Sequence, residues 1–145
     1  KKELGINDFS KIPNGGPFIE DRFGILYSEG VAKGRITVNE FVDMISTSAA
    51  KTFGLFPKKG TIAIGSDADI VLFDPNVKRV ISAQTHHMNV DYNPYEGWEV
   101  TGEVQSVLVR GEYVVKDKKF VGTLGSGQYI KRKSSVQPKE EPALN

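Results

Sequence analysis

The residues able to do chemistry fall into three groups. "GSDADIVLFDP" carries Asp67, Asp69 and Asp74 among apolar residues. His86 and His87 are adjacent and are the only imidazoles in the chain. "KIPNGGP" sets Asn14 and Gly15-Gly16 between Pro13 and Pro17. Paired carboxylates can move protons or, joined by histidines, hold a metal ion. Asp67 and Asp69 would share one face of an extended chain, because side chains alternate with a period of two. No histidine stands near them in sequence, and the Gly and Glu of an EF-hand calcium loop are missing. Gly65-Ser66-Asp67 is instead turn chemistry, in which a short carboxylate accepts from nearby backbone N–H groups. Asp74-Pro75 reads the same way, as the end of a strand. The Asp cluster is therefore expected to be structural.

Neighbouring residues on an extended strand point to opposite faces, so His86 and His87 would not chelate one metal ion there. In a loop they could. The simpler reading is a pair of polar loop residues bonded to backbone or to a neighbouring domain. In "KIPNGGP" the prolines stiffen the loop and the glycines allow close approach of the backbone. Exposed backbone N–H and C=O groups in such a loop suit a planar amide, and an ordinary glycine-rich turn fits the residues equally well. Tyr92, Tyr95 and Trp98 lie near one another and are expected to pack in a core or an interface.

These groups must be positioned by a chain of 145 residues, 39% apolar and 26% charged, which is a globular balance. A net charge of +1 lacks the excess of Lys and Arg that a nucleic-acid footprint needs. With no cysteine there is neither a disulfide framework nor thiolate chemistry, which fits a reducing, cytoplasmic setting. No apolar run reaches the roughly 20 residues of a membrane span. The opening "KKELGINDFSKIPNGG" begins with Lys, not Met, and begins no fold, so the expectation is a segment cut from a longer chain.

Apolar residues at Ile19, Phe23, Leu26, Tyr27 and Val31 predict a helix over 19–31. Thr37-x-x-Glu40 is a capping box and predicts a helix start at Thr37, with Phe41, Val42 and Ile45 on its apolar face. Ser46 and Thr47 are expected to interrupt that helix. A second short one, 48–53, would end at Gly54. Past Pro57 the period changes. Strands are predicted at 62–64, 70–73, 79–82, 104–109, 112–115 and 119–121. Arg110-Gly111 and Asp117-Lys118 are read as hairpin turns. Residues 83–97 form a long connection, of a length that is usually functional or packed on a neighbour. From Gly125 the chain reads as a tail. Tyr129 and Ile130 are expected to dock on protein, and residues beyond Ser135 to be held only by a partner subunit or else to stay mobile.

"DFSKIPNGGPFIEDR", "STSAAKTFGLFPKKGTIAIGSDADIVLFDP" and "THHMNVDYNPYEG" together resemble the C-terminal part of the dihydropyrimidinase and D-hydantoinase family of cyclic amidohydrolases, in its bacterial form. The resemblance runs from Lys2 to about Arg132. It implies an α/β part followed by an all-β part: the end of a TIM-like (β/α)8 metal-dependent hydrolase barrel, then the C-terminal strands of a β-sandwich. Residues 1–57 would be the last barrel loop and closing helices, 58–125 the sandwich strands, and 126–145 an extended C-terminal tail.

The implied activity is hydrolysis of the ring amide of hydantoins or dihydropyrimidines to N-carbamoyl amino acids. The implied cofactors are two divalent metal ions, usually zinc, bound by the parent protein outside this chain. None of the family's metal ligands or catalytic residues maps onto these residues, so the isolated chain is expected to be inactive. What carries over is Asn14, whose position in the family helps hold the cyclic amide, largely through its backbone. The implied partners are a cyclic ureide substrate, the remainder of the amidohydrolase chain, and further copies in a homodimer or homotetramer, with neither nucleic acid nor membrane. The alternative is a non-catalytic assembly homologue of the same family, against which "IPNGGP" counts.

Overall fold

The helical part forms where the sequence places it. In the computed structural model, which describes residues 2–133, α1 spans Ile19–Leu26 and runs on through a wider turn, Tyr27–Val31. Helix α2, Val38–Val42, begins at the capping box. There the Thr37 N–H donates to Glu40 Oε2 at 2.7 Å, and the Glu40 N–H donates to Thr37 Oγ1 at 3.2 Å. Two of the orphan donors at the helix start are thus satisfied reciprocally. Ser46 and Thr47 do not interrupt the run. They lie in a wide helical turn, Asp43–Thr47, which passes directly into α3, Ser48–Thr52. The Thr47 hydroxyl donates to Gly60 O at 2.7 Å, so this residue ties the helix to the following loop. Gly54, at φ 68°, closes α3 as a left-handed cap.

Four antiparallel strands follow: β1, Ile70–Val80; β2, Glu99–Val109; β3, Glu112–Lys116; β4, Lys119–Phe120. They lie in the order β1-β2-β3-β4. Both predicted hairpin turns are present. Arg110 and Gly111 have φ of 53° and 84°, and Asp117 and Lys118 have 49° and 64°. Positive φ at both central residues suits the right-handed twist of a tight hairpin.

Three strand expectations are corrected. Residues 62–64 form no strand; Ile62 and Ile64 stand exposed in a turn. Short apolar runs are not strands unless a partner strand pairs with them. Asp74-Pro75 does not end a strand, and 70–73 and 79–82 are not separate strands, because β1 runs through. The register steps from Asp74 opposite Glu103 to Lys78 opposite Thr101, so 75–77 bulge against Gly102 alone. The turn chemistry read at Asp74 is real within that bulge, since Asp74 Oδ1 accepts from the Asn76 N–H at 2.9 Å. Strand β2 begins at Glu99 rather than at Val104.

The core sits where α1 and α2 meet the sheet. Phe41, Ala50, Ile81 and Val100 are its buried apolar side chains among the described residues. Phe23 and Tyr27 of the first helical run pack between Phe41 and Phe73, with ring centroids 4.7–5.8 Å apart. Tilted and edge-on rings at these separations suit the aromatic quadrupole. Gly102 makes room for them: a Cβ there would fall 2.4 Å from the Phe73 ring and 2.7 Å from Tyr27. Of the tail, the Lys133 N–H donates to Gly54 O at 2.8 Å. Within this chain Tyr129 is 91% exposed and Ile130 is half-buried. The expectation for residues beyond Ser135 lies outside the described residues.

Candidate functional site

The "KIPNGGP" loop forms one wall of a cleft of about 410 Å³, and Met88, Val90 and Tyr92 stand on the other side. Short turns before the loop set its position. Asp8 caps the turn Phe9–Lys11, accepting from the Ser10 N–H at 3.1 Å and the Ser10 hydroxyl at 2.7 Å. These bonds hold its carboxyl below the ordinary aspartate value. Gly5 lets the chain double back, since a Cβ there would lie 2.0 Å from Ile12 Cγ1. Gly15 has φ 76° and no atom within 4 Å of where a Cβ would stand, so the backbone is open to approach. Gly16 is tight instead, with the Phe18 ring 2.3 Å from its Cβ position. Phe18 packs edge-on against Tyr95, and Tyr95 against Trp98.

Asn14 lines the cleft and is exposed, and its N–H, carbonyl and side chain make no hydrogen bond among the described residues. The carbonyls on either side of it are engaged. Lys2 Nζ donates to Pro13 O and, at 2.9 Å, to Gly15 O. The same ammonium stands 5.9 Å from the centre of the Tyr92 ring, within cation–π range.

The far wall is held to α1 by a clasp. Glu20 Oε2 accepts from the His87 N–H at 2.7 Å, and Glu20 Oε1 lies 2.8 Å from His87 Nδ1. Next to it, Asp21 is only 2% exposed. Its Oδ2 accepts from Asn93 Nδ2 at 2.6 Å, and its Oδ1 faces the Arg79 guanidinium at 3.3 Å. Asn93, itself buried, accepts from the Tyr95 N–H at 2.9 Å. A buried carboxylate needs such partners, because an unpaired one is strongly disfavoured. Glu96 closes the base of the 83–97 connection by accepting from the Ala83 N–H at 2.6 Å. That bond, with one from Ser82, holds its carboxyl below the usual value.

The two histidines are not brought together. His86 Nε2 lies 3.0 Å from Val90 O, while His87 turns to Glu20. The Asp cluster is a charge clamp. Lys58 Nζ stands 2.7 Å from Asp67 Oδ1, and Lys59 reaches both Asp67, at 3.0 Å, and Asp69. The Lys58 and then the Lys59 ammonium hold the Asp67 carboxyl below its ordinary value. Burial pulls Lys59 down, and the bonds to Asp69 and Asp67 outweigh it, leaving its pKa raised. Asp69 Oδ1 also accepts from the Arg110 N–H at 2.9 Å, fixing the β2–β3 turn. Among the described residues, no three His, Cys, Asp or Glu side chains are grouped to hold a metal ion.

The sequence model of the amidohydrolase family matches residues 18–114. The chain belongs to the amidohydrolase family. Among curated amidohydrolases, the D-hydantoinase of Geobacillus stearothermophilus is 72% identical over 132 residues, which cover 91% of this chain and 28% of that protein. The dihydropyrimidinase of Rattus norvegicus is 47% identical, with 91% of this chain and 25% of that protein covered. A solved D-hydantoinase from a Bacillus species superposes with a TM-score of 0.90 at 71% identity, over 94% of this chain and 30% of its own. This amidohydrolase chain therefore spans less than a third of the length of these relatives. Lys2, Glu20, Asp21 and Asn93 were not singled out from sequence as site residues. For Glu20, Asp21 and Asn93 the signal was the quoted motifs themselves: "EDR" and "THHMNVDYNP" belong together because they touch.

Proposed function

We propose that this chain forms part of a metal-dependent cyclic amidohydrolase that opens the ring amide of hydantoins or dihydropyrimidines to N-carbamoyl amino acids. The observation that carries the reading is Asn14, whose own N–H and carbonyl make no hydrogen bond among the described residues and which lines a cleft sized for a small ring. Asn14 would hold the cyclic amide through its peptide groups. The relatives' names point to the same substrates. In this reading residues 1–57 are the last barrel loop and closing helices, 58–125 are strands of a β-sandwich, and the parent protein assembles as a dimer or tetramer. Exposed apolar side chains such as Phe9, Ile19 and Ile64 support further covering by other protein. The setting would be the cytoplasm; no helix among the described residues is long and apolar enough to cross a membrane.

The amidohydrolase family is metal-dependent. The residues described here do not fit that requirement, since His86, His87, Asp67 and Asp69 are each engaged elsewhere and point to no common centre. The metal ions, two and of zinc type in this reading, would be held by residues outside this chain, and the chain alone would show no turnover.

Grafting tests the reading. This chain replaces the matching region of the Geobacillus D-hydantoinase, and ring opening is followed on hydantoin and dihydrouracil. The expected rate lies within about tenfold of the parent enzyme. A folded, metal-loaded chimera without turnover would sink the proposal and favour the assembly-protein alternative. Within the chimera, Asn14→Ala should keep most of the activity, because the backbone does the holding. Gly15→Val should lose most of it, because valine resists φ of 76°.

A further inference from the structure

We infer that Lys2 is a positioning residue for the substrate loop: by gathering the carbonyls on both sides of Asn14, it aims the amide N–H groups of Asn14 and Gly16 away from itself as a pair of hydrogen-bond donors for a carbonyl oxygen. The inference rests on the cyclic-amide reading of the cleft.

An ammonium has three donors and no acceptor. Lys2 uses them on Pro13 O and Gly15 O, with its charge also against Tyr92. The peptide geometry does the rest. Among the described residues the cis bond is Phe56–Pro57, so the Pro13–Asn14 and Gly15–Gly16 bonds are trans. In a planar trans peptide the N–H points opposite to the C=O. Fixing the Pro13 carbonyl on Lys2 therefore fixes the Asn14 N–H on the opposite side, and fixing the Gly15 carbonyl does the same for the Gly16 N–H. Neither N–H has a partner among the described residues. Drawing a carbonyl toward a cation also polarises its peptide, which makes the N–H a better donor. The Gly15 φ of 76° lets the two carbonyls converge, and the open space over Gly15 leaves room for a ligand. The Gly5–Ile12 contact brings the turn that carries Lys2 against the foot of the loop. A lysine on a free terminus would not keep this geometry; one on an anchored turn does.

The probe is the grafted D-hydantoinase described above, carrying Lys2→Met, Lys2→Arg, or Lys33→Met as an exposed control. For Lys2→Met, KM for dihydrouracil should rise about tenfold with a smaller change in kcat, since the loop binds ring but supplies no reacting group. The thermal midpoint should stay close to that of the unmutated chimera. Lys2→Arg should recover part of the KM, and Lys33→Met should leave it unchanged. Hydrogen exchange over 13–17 should quicken in Lys2→Met and not elsewhere. A KM within about twofold of the unmutated chimera overturns the inference; so does a fall of kcat together with the midpoint at unchanged KM. A chimera inactive before any Lys2 change counts against the cyclic-amide reading instead. In that case hydrogen exchange still decides for Lys2, and equal exchange over 13–17 in both proteins overturns it.

Discussion

Two carboxylate clusters in this chain invite comparison. Asp67 and Asp69 stand in a conspicuous D-x-D beside two lysines, and Asp21 sits unremarked in "FIEDR". The conspicuous pair lies near the surface and locks a turn, with Lys58 54% exposed at its edge. The quiet one is buried, faces Arg79, and takes the amide of Asn93 from the far end of the 83–97 connection. Spacing that looks like chemistry was turn chemistry, and the costly charge was the one without a pattern. The first cluster opens to water at Lys58, whereas Asp21 is shut off from it, so the three ion pairs of the first cluster and the one of the second carry unequal weight.

The comparison breaks most readily at Asp21. Asp21→Ala leaves Arg79 and Asn93 without their acceptor, and should destabilise the grafted enzyme by about 3 kcal/mol, read as a shift of its urea midpoint. Asp21→Asn, which keeps a carbonyl for Asn93 but loses the charge, should fall between. A shift no larger than that of a surface substitution would erase the distinction between the clusters.

Asp67→Asn should give a much smaller shift, and its pH dependence sharpens the contrast. Lys58 and Lys59 lower the folded Asp67 pKa below the ordinary 3.8. A lowered carboxylate contributes its full stabilisation above the unfolded value and loses it as pH falls through the folded one. The difference between unmutated and Asp67→Asn proteins should thus be constant above pH 3.8 and close below it. A difference that instead grew on acidification would contradict the clamp.

Local features were legible in the sequence and distant ones were not. The capping box at Thr37 and the Arg110-Gly111 turn depend on residues next to one another, and their chemistry is complete within a few positions. The first half of β2 was not legible. Residues 98–103, with Gly102 among charged neighbours, show no strand pattern of their own, and the strand forms because β1 pairs with it and Ser28 Oγ accepts from the Thr101 N–H at 3.0 Å. The clasp of the candidate site joins residues 67 and 72 positions apart, beyond the reach of any local pattern. Asn14 was picked out by resemblance, and Lys2 was missed because its partners are carbonyls, which no side-chain motif records.

The bulge at Pro75 has a consequence for what the molecule avoids. Strand β1 lies at the border of the sheet, where a row of unpaired N–H groups can template another chain. In the middle of that border Pro75 has no N–H to offer, and the Asn76 N–H is already taken by Asp74. That border is thereby a poorer template for self-association than an edge with a full row of free N–H groups.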